Sequence, residues 1–190
     1  MLNSFSLYLA TYSLTSTSET VYGIWNPTAG GNSIPATVGW GAGNSPPGEE
    51  ARNMLDSNSN TKYLNFGSCS LSATPSLDCG LNTGVYFTLS RGASVLRSLR
   101  FRTANDAPER DPLMVTVEGS NQTSALTQGS SWTLIYNGST GLYTNPGRFQ
   151  LGITQYINNF ISYESYRLLV VSIRNPAIAT QYAEVEFNGY

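Results

Sequence analysis

What most limits the folds open to this chain is the rhythm of its apolar residues. They come in short runs broken by Gly, Asn, Pro and Ser, and almost never at helical spacing. The runs are Val85 to Leu89, Val95 to Phe101, Met114 to Val117, Trp132 to Tyr136, Tyr166 to Ile173 and Tyr182 to Phe187. A helix buries a stripe by repeating apolar residues every third or fourth position. A strand instead alternates them, or runs them together when both faces are covered. The pattern predicts an all-β jelly-roll β-sandwich. Leu99 and Phe101 alternate with Arg100 and Arg102, which gives that strand one wet face. From Tyr166 to Ile173, YRLLVVSI is apolar on both faces after Arg167 and reads as a central strand. In YAEVEF, Ala183, Val185 and Phe187 take the core side, while Glu184 and Glu186 share the other.

At 190 residues the chain is the size of one domain. Residues 26–50 are rich in Gly, Pro, Ser and Asn and read as long loops with at most one short strand near Thr37 to Trp40. Residues 1–25 form an N-terminal β extension to the domain at 26–190. Phe5, Leu7 and Leu9 alternate, and Tyr12 and Leu14 continue in shifted phase, as a strand interrupted by a bulge would. An extra strand on the same sandwich is the expected outcome, since consecutive segments usually pack together. Pairing with a neighbouring chain, and so self-association, is the alternative.

The chain carries 10 Lys and Arg against 12 Asp and Glu, and Lys62 is its only lysine. Neither nucleic acid nor an anionic membrane suits so small a basic content. No apolar run is long enough to insert into a membrane. About a third of the residues are Ser, Thr and Asn, which supply solubility in place of charge and point to an extracellular or cell-surface protein. In that setting Cys69 and Cys79, enclosing SLSATPSLD, are expected to form a disulfide worth about 2 to 3 kcal/mol, two unrelated thiols being the alternative. Asn121-Gln-Thr and Asn137-Gly-Ser are candidate glycosylation sites.

Six motifs fall in an order that resembles a known family. They are EARNMLDSNSNTKYLNF at Glu50 to Phe66, TANDAPERDP at Thr103 to Pro112, VEGSN at Val117 to Asn121, WTLIYNG at Trp132 to Gly138, SYRLLV at Ser165 to Val170 and AEVEF at Ala183 to Phe187. Together they resemble the galactose-binding-like jelly roll of coagulation factor 5/8 type C (discoidin) domains and family 32 carbohydrate-binding modules, over about residues 45–190. The resemblance implies a structural calcium ion held where the Asp56 loop meets the C-terminal strand. Asp56 and Glu184 would give carboxylates, Thr61 its hydroxyl and carbonyl, and Asn53, Asn58 and Ala183 carbonyls. Calcium asks for six to eight hard oxygen ligands, which these residue types can supply. Ser57 stands where the family has glycine. A loop capped by its own side chains without metal is the alternative reading of the residues.

The chain has no histidine, which removes His-based triads and His-ligated zinc. Glu49 and Glu50 are neighbours in a Pro/Gly loop and read as solvated rather than catalytic, so no enzyme is expected. A sugar-binding module needs a loop aromatic to stack on the ring and polar groups to hold its hydroxyls. Trp25 and Trp40 are the stacking candidates, although core packing accounts equally well for either, and Trp132 matches a family position inside the barrel. Asn105, Asp106 and Arg110 could meet a ligand, or Arg110 and Asp111 could form a structural ion pair. The expected function is a noncatalytic lectin-like module binding a glycan or glycoprotein. The alternative is an adhesive or filament subunit assembling through its N-terminal β segment.

Overall fold

A computed structural model describes residues 10–190. Phe5, Leu7 and Leu9 of the expected N-terminal strand lie outside them. In chain order the strands are β1 (Tyr12–Ser13), β2 (Val21–Trp25), β3 (Ile34–Pro35), β4 (Thr37–Val38), β5 (Asn44–Ser45), β6 (Tyr63–Asn65) and β7 (Thr83–Thr88). They continue as β8 (Leu96–Arg102), β9 (Pro112–Ser120), β10 (Thr133–Ser139), β11 (Gln155–Tyr156), β12 (Ser165–Ile173), β13 (Thr180–Tyr182) and β14 (Glu184–Gly189). Two antiparallel sheets face each other, one ordered β1-β14-β8-β11 and the other β10-β9-β12-β7-β2-β3. β13 with β6 and β4 with β5 form two further short pairs, antiparallel and parallel respectively. No helix of the described residues is long and apolar enough to cross a membrane.

Alternation builds the core. Leu99 and Phe101 of β8 and Val185 and Phe187 of β14 point inward and are fully buried, while Arg100 and Glu186 pair on the outer face at 2.9 Å. β12 lies between β9 and β7 as the expected central strand. Its residues Tyr166, Leu168 and Val170 enter the core, so Arg167 must leave on the opposite face. There Arg167 meets Glu118 of β9 in a bidentate pair, at 2.6 and 2.9 Å, with both side chains completely buried. The loop after β2 closes over them: Gly31 O accepts from Arg167 Nη1 and Gly30 N donates to Glu118 Oε1.

This arrangement corrects the expectation for Trp132. It is buried, but its ring lies 5.1 Å from the Arg167 guanidinium and 6.1 Å from the Tyr86 ring, on the outer face of the larger sheet. Its Nε1 donates to Leu126 O. An indole fits there because its face attracts the cation while its N–H reaches a carbonyl.

The N-terminal segment packs on its own chain where it is described. Tyr12 and Ser13 pair with Gly189 and Asn188 of β14, and Leu14 is buried in the core. β2 is a full member of the larger sheet, paired with β7 from Val21 opposite Phe87 to Trp25 opposite Thr83. Residues 26–50 hold three two-residue strands rather than one. Cys69 and Cys79 are joined, with no free cysteine left, and the bridge staples a loop whose Leu71 and Leu77 are exposed.

Candidate functional site

The loop DSNSNT, Asp56 to Thr61, is folded by its own side chains and by the start of β14. Asp56 Oδ1 accepts from Asn58 N at 2.8 Å, and Asp56 Oδ2 from Thr61 Oγ1 at 2.7 Å. Ser57 takes φ 61°, the left-handed conformation that favours glycine. Glu184 arrives from across the sequence, its Oε1 accepting from the same Asn58 N at 2.9 Å. Asn58 O and Thr61 Oγ1 lie 2.7 Å apart. Burial pushes the Glu184 carboxyl up to about 8, and the Asp56 carboxyl beside it adds to the shift.

The structure thus brings together four of the six expected calcium ligands, Asp56, Asn58, Thr61 and Glu184. Ala183 is the single residue between β13 and β14, its N–H on Arg102 O at 2.9 Å. The Asn53 side chain is a brace, donating to Gly48 O at 2.7 Å and Lys62 O at 2.9 Å across the two arms of the loop. No group of three or more His, Cys, Asp or Glu that could hold a metal occurs among the described residues. The donor set nevertheless fits a hard cation. It is all oxygen, and its two carboxylates repel until something positive, a proton or a metal, sits between them.

The polar constellation of the 103–111 loop has a different character. Lys62 is almost fully buried, and its Nζ donates to Asp106 Oδ1 at 2.8 Å and lies 3.6 Å from Glu49 Oε1. Gln181 Nε2 donates to Asp106 Oδ1 at 2.9 Å, and Gln181 Oε1 accepts from Arg110 Nη1 at 3.4 Å. Burial alone would raise the Asp106 carboxyl, but the Lys62 and Gln181 hydrogen bonds hold it below its ordinary value. Asp106 and Arg110 therefore tie their loop to Lys62, just before β6, and to β13, and Asn105 alone of the three is exposed without such a tie. The alternative of an Arg110–Asp111 pair is corrected too. Buried Asp111 is held by Arg148, at 2.5 and 2.8 Å, and by Arg174 at 3.4 Å.

The two loop tryptophans separate. Trp25 is partly buried with its ring against Gly43, where an added Cβ would come within 2.3 Å of the indole, and Gly43 has φ +74°. Packing occupies that side of the ring. Trp40 is 52% exposed, between β4 and β5. Its segment is tightly bonded: Gly39 N to Ser45 O at 2.9 Å, Gly41 N to Asn44 Oδ1 at 3.0 Å, and Asn44 Nδ2 to Thr37 Oγ1 at 2.6 Å. Leu71 N, inside the disulfide loop, donates to Trp40 O at 3.0 Å. Of the two acids read as solvated, Glu49 faces Lys62, and Glu50 is partly buried with its Oε2 shielded. The sequon residues Asn121 and Asn137 are both exposed. Asn121 already bonds Ser162 O and Glu164 N, whereas Asn137 stands on edge strand β10.

The sequence matches no protein-family model and no curated protein. Its structure is similar to that of the family 32 module from Clostridium perfringens NanJ, in complex with galactose. That match has TM-score 0.58 and 12% identity, over 94% of this chain and 99% of that one. A second Clostridium perfringens module, in complex with GalNAc-β-1,3-galactose, matches at TM-score 0.55 and 10% identity, over 93% and 99% of the two chains. Chitosan-binding module 1 from a chitosanase/glucanase of Paenibacillus sp. IK-5 matches at TM-score 0.55 and 14% identity, over 95% and 100%. The chain has the galactose-binding-like jelly-roll fold of these modules.

Proposed function

We propose that the protein is a noncatalytic carbohydrate-binding module that works outside the cell, seats its sugar against Trp40, and is braced by a calcium ion at the Asp56–Glu184 loop. The observation that carries this reading is the placement of Trp40. A large aromatic half in water is carried on a short, hydrogen-bonded, disulfide-backed segment, so the backbone that presents its ring is held in place. A firmly held backbone under the aromatic suits a weakly binding sugar site, because little area is buried to offset ordering. The fold shared with modules seen on galactose and on GalNAc-β-1,3-galactose makes galactosides the first ligands to try. The disulfide supports an oxidising location. Calcium would be held by Asp56, Asn58, Thr61 and Glu184. It would neutralise the paired carboxylates and fix the loop.

An open stacking site predicts affinities near millimolar, about -4 kcal/mol. Titration of the protein with galactosides, before and after Trp40→Ala, tests the reading. Binding lost with an unchanged melting curve supports it, and binding unaffected by the substitution removes Trp40 from the site.

A further inference from the structure

We propose that the protein self-associates by strand addition: residues 1–9 of one copy, MLNSFSLYL, join the free edge of β10 in a second copy. The two large sheets have four edge strands, β1, β11, β3 and β10. Three of them are two residues long, and β3 ends in Pro35, which has no N–H to give to a ladder. β10 runs for seven residues and pairs only with β9. Every second N–H and C=O along it therefore faces away from the sheet, with no strand beyond among the described residues. Edge strands are ordinarily guarded by charge, proline or shortness, and TLIYNGS has none of these. Its one guard is the bulge between Leu134 and Tyr136, which leaves Tyr136 to Ser139 in regular register.

The apolar surface beside that edge is incomplete as well. Ile135 and Tyr136 are only partly buried where they meet the core, and Leu134 is 50% exposed. Past the end of β10, Tyr143 and Ile153 are exposed, and Ile153 is tied to the strand's exit by its N–H on Gly141 O at 3.0 Å. The segment 1–9 has the complementary pattern. Phe5, Leu7 and Leu9 alternate with Ser4, Ser6 and Tyr8, and the segment contains no charged side chain, Gly or Pro. As a strand beside β10 it would lay one apolar face over Ile135 and Tyr136 and turn its serines the other way.

Distance assigns the acceptor to a second copy. Leu14 N bonds Phe187 O at 2.7 Å, and the Phe187 ring meets that of Phe87 on β7 at 5.0 Å, so residue 10 stands beside β14 and across from β7. From β7 to β10 is three strand spacings, about 14 Å, and facing sheets stand about 10 Å apart. Nine extended residues span about 30 Å at most. Reaching β10 of the same copy would take more than half of that and leave too few residues to pair along it. A neighbouring copy has no such gap to cross. Donor and acceptor are different surfaces, so each copy can give one strand and receive another. Given the Trp40 reading above, linked copies would present weak sugar sites together, raising binding to a glycan-covered surface by about 100-fold or more.

Analytical ultracentrifugation of the full chain and two variants tests the proposal. Leu7→Asp spoils the donor, and Leu134→Lys puts a charge on the acceptor edge at a half-exposed position. Asn137→Lys, exposed on the same edge, serves as a second acceptor variant. The native chain should associate as its concentration rises, while each variant alone should stay a single copy and melt like the dilute native chain. Mixed in equal amounts, a donor variant and an acceptor variant should form pairs and stop there, because each keeps the half that the other lacks. A native chain that remains a single copy, association that survives the donor substitution or both acceptor substitutions, or a mixture that stays unpaired overturns the proposal. A Leu7→Asp single copy that melts below the dilute native chain overturns it too, since residues 1–9 would then pack on their own copy. These readouts are of mass and melting, so their failure leaves the Trp40 reading, which is tested by sugar binding, standing.

Discussion

The carboxylates of Asp56 and Glu184 converge on one donor, the backbone N–H of Asn58, at 2.8 and 2.9 Å. A single N–H cannot satisfy two buried-side carboxylates, and burial together with Asp56 holds the Glu184 proton on to about pH 8. A calcium ion bound only by the folded state would stabilise by about 2.7 kcal/mol at a hundredfold excess over its dissociation constant. Thermal melts with calcium and with chelator are expected to differ by a corresponding shift, and Glu184→Gln is expected to remove most of it. Superimposable curves for the native sequence would exclude the ion.

Ser57 is held at φ 61°, where a Cβ is unfavourable. Ser57→Gly relieves that strain but gives the unfolded chain more freedom, so the net gain is a fraction of the strain. A stabilisation of about 0.5 kcal/mol is expected from denaturant unfolding. A loss of stability would mean that the Ser57 side chain contributes a contact of its own.

Two ion pairs of similar geometry should differ sharply in what they contribute. Arg167 and Glu118 are wholly buried, so Arg167→Met leaves an unpaired acid under the 26–33 loop and should cost about 3 to 5 kcal/mol. Arg100 and Glu186 share a half-exposed sheet face, and Arg100→Met should cost less than about 1 kcal/mol. Urea midpoints for the two variants make the comparison directly.

The Cys69–Cys79 bridge closes a loop whose Leu71 N–H anchors the Trp40 carbonyl. Reduction is expected to destabilise the protein by about 2 to 3 kcal/mol. It should also weaken sugar binding below the melting transition, because the Trp40 segment loses its support. Unchanged affinity after reduction would show that the segment holds itself.

The strands that were legible in the sequence are those with one apolar face or two. Leu99, Phe101, Val185 and Phe187 alternate because their sheet has one wet side, and Tyr166 to Val170 runs together because both faces of the strand are covered there. β2 was not legible. Val21 to Trp25 places Tyr22 outward and Gly23 inward, so neither face shows a period. The run from Tyr182 to Phe187 looked continuous but divides at Ala183, since β13 pairs with β6 and β14 with β8. Trp132 was expected inside the barrel from the family resemblance, and nothing in its own stretch of sequence tells one buried face of a sheet from the other. Only the position of Arg167 tells which side it is.

The site was legible where a local loop carries it and not where distant chains meet. Asp56, Asn58 and Thr61 lie within one turn-rich segment, whereas Glu184 joins them from β14 and was named through the family resemblance alone. Lys62, Asp106 and Gln181 come from three separate segments, and nothing local in any of them announces the others. Glu50 likewise looked like a solvated loop acid, because its shielding comes from packing that no neighbouring residue in the sequence reveals.

Screening the native protein and Trp40→Ala side by side on a glycan array, in calcium, tests the central claim most directly. The account predicts that the native chain retains a defined group of glycans, galactosides among them, and that Trp40→Ala loses them while melting at the same temperature. A native protein that retains no glycan above background would contradict it.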